Sequence, residues 1–239
     1  MLKAVLFDLD GTLLPMDLEA FVKGYLELLR EKMDSLGHDG AKIVAAIWKG
    51  TGVMAENDGS ATNEAAFRRC FDACFPENHD ELMDDVEEFY NVDFIRAKSL
   101  CSFDPEAAKA VSELKAIGLR CALATNPYFP RIATHMRLGW AGLRPEDFEL
   151  ITTYENSSFS KPNPGYFAEV ANSLGLHPEE CLMVGNDTLE DAAAMKLGMD
   201  FFLITPFMID RKNLDLDKVP HGSFPDLVAY VKCKMKNGC

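Results

Sequence analysis

The sequence predicts an α/β protein with a doubly wound parallel sheet and an α-helical cap inserted near its start. Three observations lead to this fold class. An apolar strand opens the chain and ends in two acids. A helical block, residues 16–99, follows it directly. Strands and helices then alternate, as in the βα units of parallel sheets. We therefore expect a core of residues 1–15 and 100–239 and a cap of residues 16–99.

The first strand carries acids where ligands usually bind. Ala4 to Phe7 is an apolar run typical of a buried parallel strand, and Asp8 and Asp10 follow it. Gly11 ends the strand, and Thr12 adds a hydroxyl group. Ligands of open α/β sheets lie beyond the carboxyl ends of strands, and buried acids need a metal or hydrogen-bond donors. The alternative interpretation is a polar exit from the strand, with an aspartate capping the next turn.

The helical block is acidic and has no strand pattern. It holds nine Lys or Arg residues against eighteen Asp or Glu residues. Asp17 is expected to cap a first amphipathic helix that ends near Gly37, and a second helix is expected over 41–48. Further helices are expected from Thr62 and over about 80–96. Its place between a first strand and a later strand–helix series indicates an insertion.

From Asp104 onward, helices alternate with strands. Strands are predicted over residues 119–124, about 148–152, 180–184 and 201–204. The last of these is expected to complete the sheet, because residues 206–222 have the character of a loop. One amphipathic helix is expected after Pro225.

Three more polar clusters follow the later strands. Thr125 and Asn126 come after the second strand, Lys161 after the third, and Asp187 and Asp191 after the fourth, where a helix is expected. Parallel crossover connections are right-handed, so these strand ends share one edge of the sheet with the first pair of acids. Taken singly, each cluster has a plainer interpretation as a turn, a solvated lysine or a helix cap.

Composition limits the partners and the location of the chain. The net charge of −14 argues against nucleic acid and against an electrostatic membrane contact. We expect no signal peptide and no membrane span. The seven cysteines form no CxxC pair and no zinc-like cluster, and we expect them to be small buried hydrophobes in a reducing compartment. These features predict a soluble, cytoplasmic protein, and they leave its oligomeric state, monomer or homodimer, open.

The four clusters in this order resemble the motifs of the haloacid dehalogenase-like hydrolase superfamily. They are Asp-x-Asp-Gly-Thr, Thr-Asn, Lys-Pro and Gly-Asn-Asp-x-x-x-Asp. The resemblance covers residues 1–15 and about 100–205, and it implies a Rossmann-like core on which residues 16–99 form the cap. It also implies a phosphatase that uses Mg²⁺ and a small phosphorylated substrate.

The resemblance implies a chemical role for each acid. Asp8 would be the nucleophile that forms an aspartyl-phosphate, and Asp10 would be the general acid and then the base. Mg²⁺ would bind the Asp8 carboxylate, the Asp10 backbone carbonyl and Asp187. Many members have an acid directly after the motif's glycine, whereas here Asn186 stands in that place. Dehalogenating members lack an acid at the position of Asp10, which disfavours dehalogenation.

The remaining motif residues would bind the phosphoryl group or support the site. Thr125, Asn126 and Lys161 would bind phosphoryl oxygens. Thr12 would be a supporting hydroxyl, and Asp191 would orient or neutralise Lys161 or support the metal. A carboxylate attacks a phosphate dianion poorly because like charges repel, and a metal and a lysine offset that repulsion.

The cap is expected to choose the leaving group. Candidate specificity residues are the segments 49–54 and 57–60, together with Arg68 and Arg69, which could meet a second anionic group. Two alternatives to hydrolysis stay open. A phosphomutase of the β-phosphoglucomutase type shares these motifs, and a non-catalytic metabolite-binding protein could keep the fold.

Overall fold

The computed structural model describes residues 1–237 and is built on one parallel sheet. Its strands are β1 (Ala4–Phe7), β2 (Arg120–Leu123), β3 (Leu150–Ile151), β4 (Cys181–Gly185), β5 (Asp200–Ile204) and β6 (His221–Gly222). They lie in the order β3-β2-β1-β4-β5-β6, and every neighbouring pair is parallel. The predicted doubly wound parallel sheet is confirmed.

The strand order places the end of β1 at the switch point of the sheet. Phe7 pairs with Leu123 of β2 on one side and with Val184 of β4 on the other. The strand order therefore runs in opposite directions on the two sides of β1. At such a point a crevice opens at the carboxyl ends of the neighbouring strands, here β1, β2 and β4. All four residues of β1 are fully buried. Side chains that follow β1, β2 and β4 must meet in this crevice.

Eight α-helices lie within residues 1–237. They are α1 (Leu18–Ser35), α2 (Gly40–Ala55), α3 (Asn63–Cys74), α4 (His79–Glu88), α5 (Pro105–Ala116), α6 (Arg131–Trp140), α7 (Pro164–Ser173) and α8 (Phe224–Asn237). The first four occupy the helical block, followed by a π-helical turn (Phe89–Asp93) and a 3₁₀ segment (Phe94–Leu100). Asp17 caps α1, as predicted, and α3 begins after its cap Thr62, where the start of a helix was expected.

The core has two apolar layers, one on each face of the sheet. Alternate residues of β1 divide between them: Val5 and Phe7 face one layer, and Ala4 and Leu6 face the other. The first layer continues into the cap, where Phe21 and Phe94 belong to the same buried cluster. Apolar packing is thus continuous between this layer and the cap.

Several predicted elements differ in the structure. α2 does not stop at Trp48 but runs to Ala55, and Gly50 within it packs so closely on the Phe67 ring that no Cβ would fit. Helix propensity alone would end the helix there. The segment Asp191–Leu197 is 3₁₀ helix, not α-helix. The predicted last strand is followed by the short edge strand β6, whose two residues are too few to give a pattern.

The cysteines only partly match the expectation. Cys121 and Cys181 are free and buried, whereas three other free thiols are half-buried: Cys70, Cys74 and Cys101. Cys233 is disulfide-bonded, which was not expected. Cys239 lies outside the described residues. Among residues 1–237, no helix is long and apolar enough to cross a membrane.

Candidate active site

The first two acids follow β1 directly, at the switch point. The Asp8 N–H donates to the Val184 carbonyl (2.9 Å), which continues the β1–β4 pairing. The Thr12 hydroxyl lies 3.1 Å from both Asp8 Oδ2 and Asn186 Oδ1 and donates to one of them at a time. Gly11 has a φ of +81°, and a Cβ there would overlap the Asn186 side chain. Only glycine fits this turn, which brings the first and last clusters into contact.

Lys161 is a buried cation between two carboxylates. Its Nζ lies 2.8 Å from Asp8 Oδ1 and 2.6 Å from Asp191 Oδ1. Burial alone would lower the pKa of Lys161, but the carboxylates of Asp191 and Asp8 raise it well above its ordinary value. Burial raises the pKa of Asp191 to about 7, against the opposing effect of Lys161. The ammonium group thus offsets part of the charge of Asp8.

Asp10 forms an ion pair with a residue outside the predicted motifs. Arg137 of α6 is fully buried, and its Nη1 donates to Asp10 Oδ2. The guanidinium also lies 4.0 Å from the centre of the Phe129 ring. Among residues 1–237, Asp10 Oδ1 is a buried oxygen with no hydrogen-bond partner. Burial raises the pKa of Asp10, and Arg137 opposes that rise. One carboxyl oxygen is therefore fixed while the other is unpaired.

Asp187 lies at the loop that follows β4. Its Oδ1 accepts from the backbone N–H groups of Leu189 (2.7 Å) and Glu190 (3.0 Å). Its Oδ2 lies 3.4 Å from Arg211 Nη1, which also pairs with Glu190 at 3.0 Å. Asn186 turns its side chain toward the first motif instead. Of these two neighbouring residues, Asp187 lines the cavity beside Asp8 and Asn186 does not.

Thr125 and Asn126 reach the same place from β2. Asn126 Oδ1 accepts from the Lys161 backbone N–H (2.9 Å), and Asn126 Nδ2 donates to Glu190 (2.7 Å). The Thr125 carbonyl accepts from the Tyr166 hydroxyl (2.9 Å). All four clusters are thus brought together at one edge of the sheet, and the roles given to them stay predictions.

The donor atoms around Asp8 and Asp187 suit a hard divalent cation. Both carboxylates line one cavity, and the donors there are oxygens. Residues 1–237 contain no group of three or more Asp, Glu, His or Cys side chains placed to hold a metal. Mg²⁺ is commonly bound by one or two carboxylates, with waters and substrate phosphate oxygens completing its shell. The carboxylates of Asp8 and Asp187 fit that preference.

A cavity of about 210 Å³ lies between the sheet edge and the cap. We call its lining residues from the segment 16–99 the cap wall, and its remaining lining residues the core wall. The core wall carries five acids: Asp8, Asp10, Asp187, Glu190 and Asp191. The cap wall is apolar or aromatic apart from Thr51 and Glu87. The two walls therefore differ sharply in chemistry.

Most of the predicted specificity residues do not reach the cavity. Of the segments 49–54 and 57–60, only Thr51 is part of the lining. Arg68 pairs with Glu87 (2.6 Å), and neither Arg68 nor Arg69 lines the cavity. Because α2 continues through this region, only one of its faces, including Trp48, is turned toward the cavity.

Arg137 is the main site residue that sequence reasoning missed. It follows the buried residues Ala133 and Thr134 at helical spacing, so it occupies the buried face of α6. A charged residue on the buried face of a helix needs a partner of opposite charge. This need is the feature of the sequence that could have indicated Arg137 as a site residue. The identity of that partner, Asp10, depends on the tertiary fold.

Comparison with known proteins agrees with this geometry. A family model for haloacid dehalogenase-like hydrolases matches residues 2–198. The proposed phosphatase YhcW of Bacillus subtilis strain 168 is 25% identical over 85% of this chain and 84% of its own length. The bifunctional riboflavin kinase/FMN phosphatase of Arabidopsis thaliana is 29% identical over 88% of this chain, which spans half of that protein.

Solved structures share the fold at lower identity. A 2-haloacid dehalogenase from Pseudomonas syringae superposes with a TM-score of 0.66 and 22% identity over 98% of this chain and 99% of its own. A phosphatase of the same superfamily from Thermococcus onnurineus superposes with a TM-score of 0.58 and 18% identity over 96% of this chain and 98% of its own. With the motifs gathered at one sheet edge and most of the chain matched, this protein belongs to the haloacid dehalogenase-like hydrolase family.

Proposed function

We propose that the protein is a Mg²⁺-dependent phosphomonoester phosphatase that works through an aspartyl-phosphate on Asp8. The observation that carries this proposal is the different environment of the two acids after β1. Asp8 is paired with the Lys161 ammonium (2.8 Å). Asp10 is buried, has a raised pKa and keeps one oxygen unpaired. A nucleophile needs an ionised carboxylate beside a cation, as at Asp8. A residue that carries a proton needs a raised pKa and a free oxygen, as at Asp10.

The proposed hydrolysis takes two steps, and Asp8 and Asp10 act in both. An Asp8 carboxylate oxygen attacks phosphorus, the bond to the leaving oxygen breaks, and Asp10 gives that oxygen a proton. Water then attacks phosphorus and gives a proton to Asp10, and the bond to Asp8 breaks, which releases inorganic phosphate. Lys161 lowers the repulsion between Asp8 and the phosphate.

A bound Mg²⁺ would be held by the Asp8 carboxylate, the Asp10 backbone carbonyl and Asp187, and it would neutralise phosphoryl charge. The Asp187 carboxylate is shared with Arg211 at 3.4 Å, a partly exposed side chain that a cation would displace. Thr125 and Asn126 line the cavity beside Asp8 and are proposed to contact phosphoryl oxygens. Asp191 is proposed to hold Lys161 in place (2.6 Å).

Hydrolysis of 4-nitrophenyl phosphate with and without Mg²⁺, by the natural protein and by Asp8→Asn, tests this function. Turnover that needs both the metal and Asp8 supports it. Turnover that survives Asp8→Asn contradicts the assignment of the nucleophile. Transfer of the phosphoryl group to a second sugar phosphate in place of water would indicate the phosphomutase alternative.

A further inference from the structure

The charge of the cavity is the starting point for identifying the substrate. No Lys, Arg or His side chain from residues 1–237 lines it. Lys161 lies behind Asp8, and Arg137 lies behind Asp10 and Phe129. Arg211 pairs with Asp187 (3.4 Å) and Glu190 (3.0 Å) of the core wall and does not line the cavity itself. The phosphoryl group can be met by a metal and by the core wall, but no basic side chain from residues 1–237 lines the space beyond it.

The only ionised side chain of the cap wall is Glu87. It is paired with Arg68 (2.6 Å), so this arginine is already used outside the cavity. Beyond Glu87, the cavity faces the acids of the core wall. A carboxylate or second phosphate on the leaving group would therefore meet like charge and lose hydration without gaining a partner.

Aromatic rings surround the remaining space. Tyr25 and Phe129 have ring centres 5.2 Å apart, and Phe67 and Tyr154 have ring centres 6.3 Å apart. Tyr90 lies 6.4 Å from Phe129. Such rings favour contact with another ring through edge or offset packing. Burial raises the pKa of Tyr25, Tyr90 and Tyr154, so these residues offer hydroxyls and no charge at neutral pH.

Trp48 extends this lining to the surface. It lines the cavity and is nevertheless 59% exposed, so it lies where the cavity opens to solvent. Thr51, one helical turn later on α2, is half-buried, and its hydroxyl donates only to the Ile47 carbonyl of its own helix (2.9 Å). The volume of about 210 Å³ is below the range of about 300–1,000 Å³ common for drug-sized ligands, which favours a small leaving group.

We propose that the substrate is a phosphate monoester whose leaving group is small, uncharged and aromatic, bound between the rings of the cap wall and Phe129. This inference rests on the proposed phosphatase function and specifies its substrate class. Bisphosphates, pyrophosphate and phosphorylated carboxylic acids are excluded as preferred substrates, because each carries a second anion into a cavity that no basic side chain from residues 1–237 lines.

Three esters separate charge from shape. Phenyl phosphate, 3-carbamoylphenyl phosphate and 3-carboxyphenyl phosphate share a ring, and the last two differ mainly by one negative charge. With the Mg²⁺-loaded full chain, we expect kcat/KM for the carbamoyl ester to exceed that for the carboxyl ester at least about tenfold. We expect phenyl phosphate to exceed ethyl phosphate by a similar factor. Equal values, or a preference for the carboxyl or ethyl ester, would overturn the proposal.

A substitution in the cap wall tests whether the lack of a basic side chain causes the preference for uncharged leaving groups. Thr51→Lys adds a cation to the cavity, and Thr51→Gln is the matched uncharged control. Thr51→Lys should shift the preference toward the carboxyl ester at least about tenfold relative to Thr51→Gln. An equal preference in both variants would contradict the charge argument.

Binding separates a wrong substrate class from a wrong function. Calorimetry of the same esters with Asp8→Asn measures the affinity of the cavity for each ester without turnover. Weaker binding of the carboxyl ester to Asp8→Asn, together with no hydrolysis of any of these esters by the natural protein, would overturn the phosphatase function and keep the cavity argument. Equal affinity for the carbamoyl and carboxyl esters would overturn the proposed substrate class, even if the natural protein hydrolyses them.

Discussion

The core wall and the cap wall meet across one cavity and are built in opposite ways. In the core wall, carboxylates are paired over short distances with buried cations that do not line the cavity, as Asp8 and Asp191 are with Lys161. In the cap wall, Glu87 is the one ionised group, and aromatic rings supply the contacts. The first arrangement suits chemistry on a phosphoryl group, and the second suits choice among leaving groups. Substitutions in the two walls should therefore affect different measured quantities.

The largest expected effect is on the core wall. Asp8→Asn removes the proposed nucleophile, and kcat should fall on the order of 10⁴-fold or more. Substrate should still bind, because the cap wall is unchanged. Steady-state kinetics and calorimetry on the same preparation check both statements. Loss of binding together with turnover would mean that the two walls do not act separately.

The second effect is on stability. Lys161→Met leaves Asp8 and Asp191 buried without their cation, and the free energy of unfolding should fall by about 3–5 kcal/mol. Urea denaturation without added Mg²⁺ measures this change. Lys161→Arg retains the charge and should lose less. A fall of less than about 1 kcal/mol would show that the lysine does not stabilise the buried carboxylates.

The third effect separates positioning from structure. Arg137→Met frees Asp10, so kcat for an alkyl phosphate, whose leaving oxygen needs a proton, should fall on the order of 10²-fold. For 4-nitrophenyl phosphate, whose leaving group needs little protonation, the fall should be smaller. Arg137→Lys, which keeps the charge, should recover part of the loss. Equal falls for both substrates would assign Arg137 a structural role alone.

The smallest effect is on the cap wall. Trp48→Ala should lower kcat/KM for phenyl phosphate by about three- to tenfold and leave ethyl phosphate nearly unchanged. Val53→Ala is the matched control, since Val53 is also an exposed apolar residue of α2 but does not line the cavity. Similar losses in both variants would remove Trp48 from the binding surface.

The two walls also differ in how well the sequence predicts them. The core wall follows strands, and parallel topology fixes where strand ends meet, so the four motifs could be placed from order alone. Arg137 is on a helix whose rotation about its axis depends on packing, so its pairing with Asp10 was not readable. The cap wall depends on which face of α2 is turned inward, and the packing of Gly50 of this helix on Phe67 is a tertiary contact that the sequence pattern does not show. For this reason most of the residues predicted to set specificity, in the segments 49–54 and 57–60, do not line the cavity, and their role stays a prediction.

The most direct test of the central claim is to trap the aspartyl-phosphate. Asp10→Asn should still transfer the phosphoryl group of 4-nitrophenyl phosphate to Asp8, because this leaving group needs little protonation, but water activation should be slow. We expect a burst of nitrophenolate equal to the enzyme concentration. Mass spectrometry after an acid quench should place one phosphoryl group on the peptide that contains Asp8. A phosphoryl group on another residue, or turnover without a burst and without any modified peptide, would contradict the account.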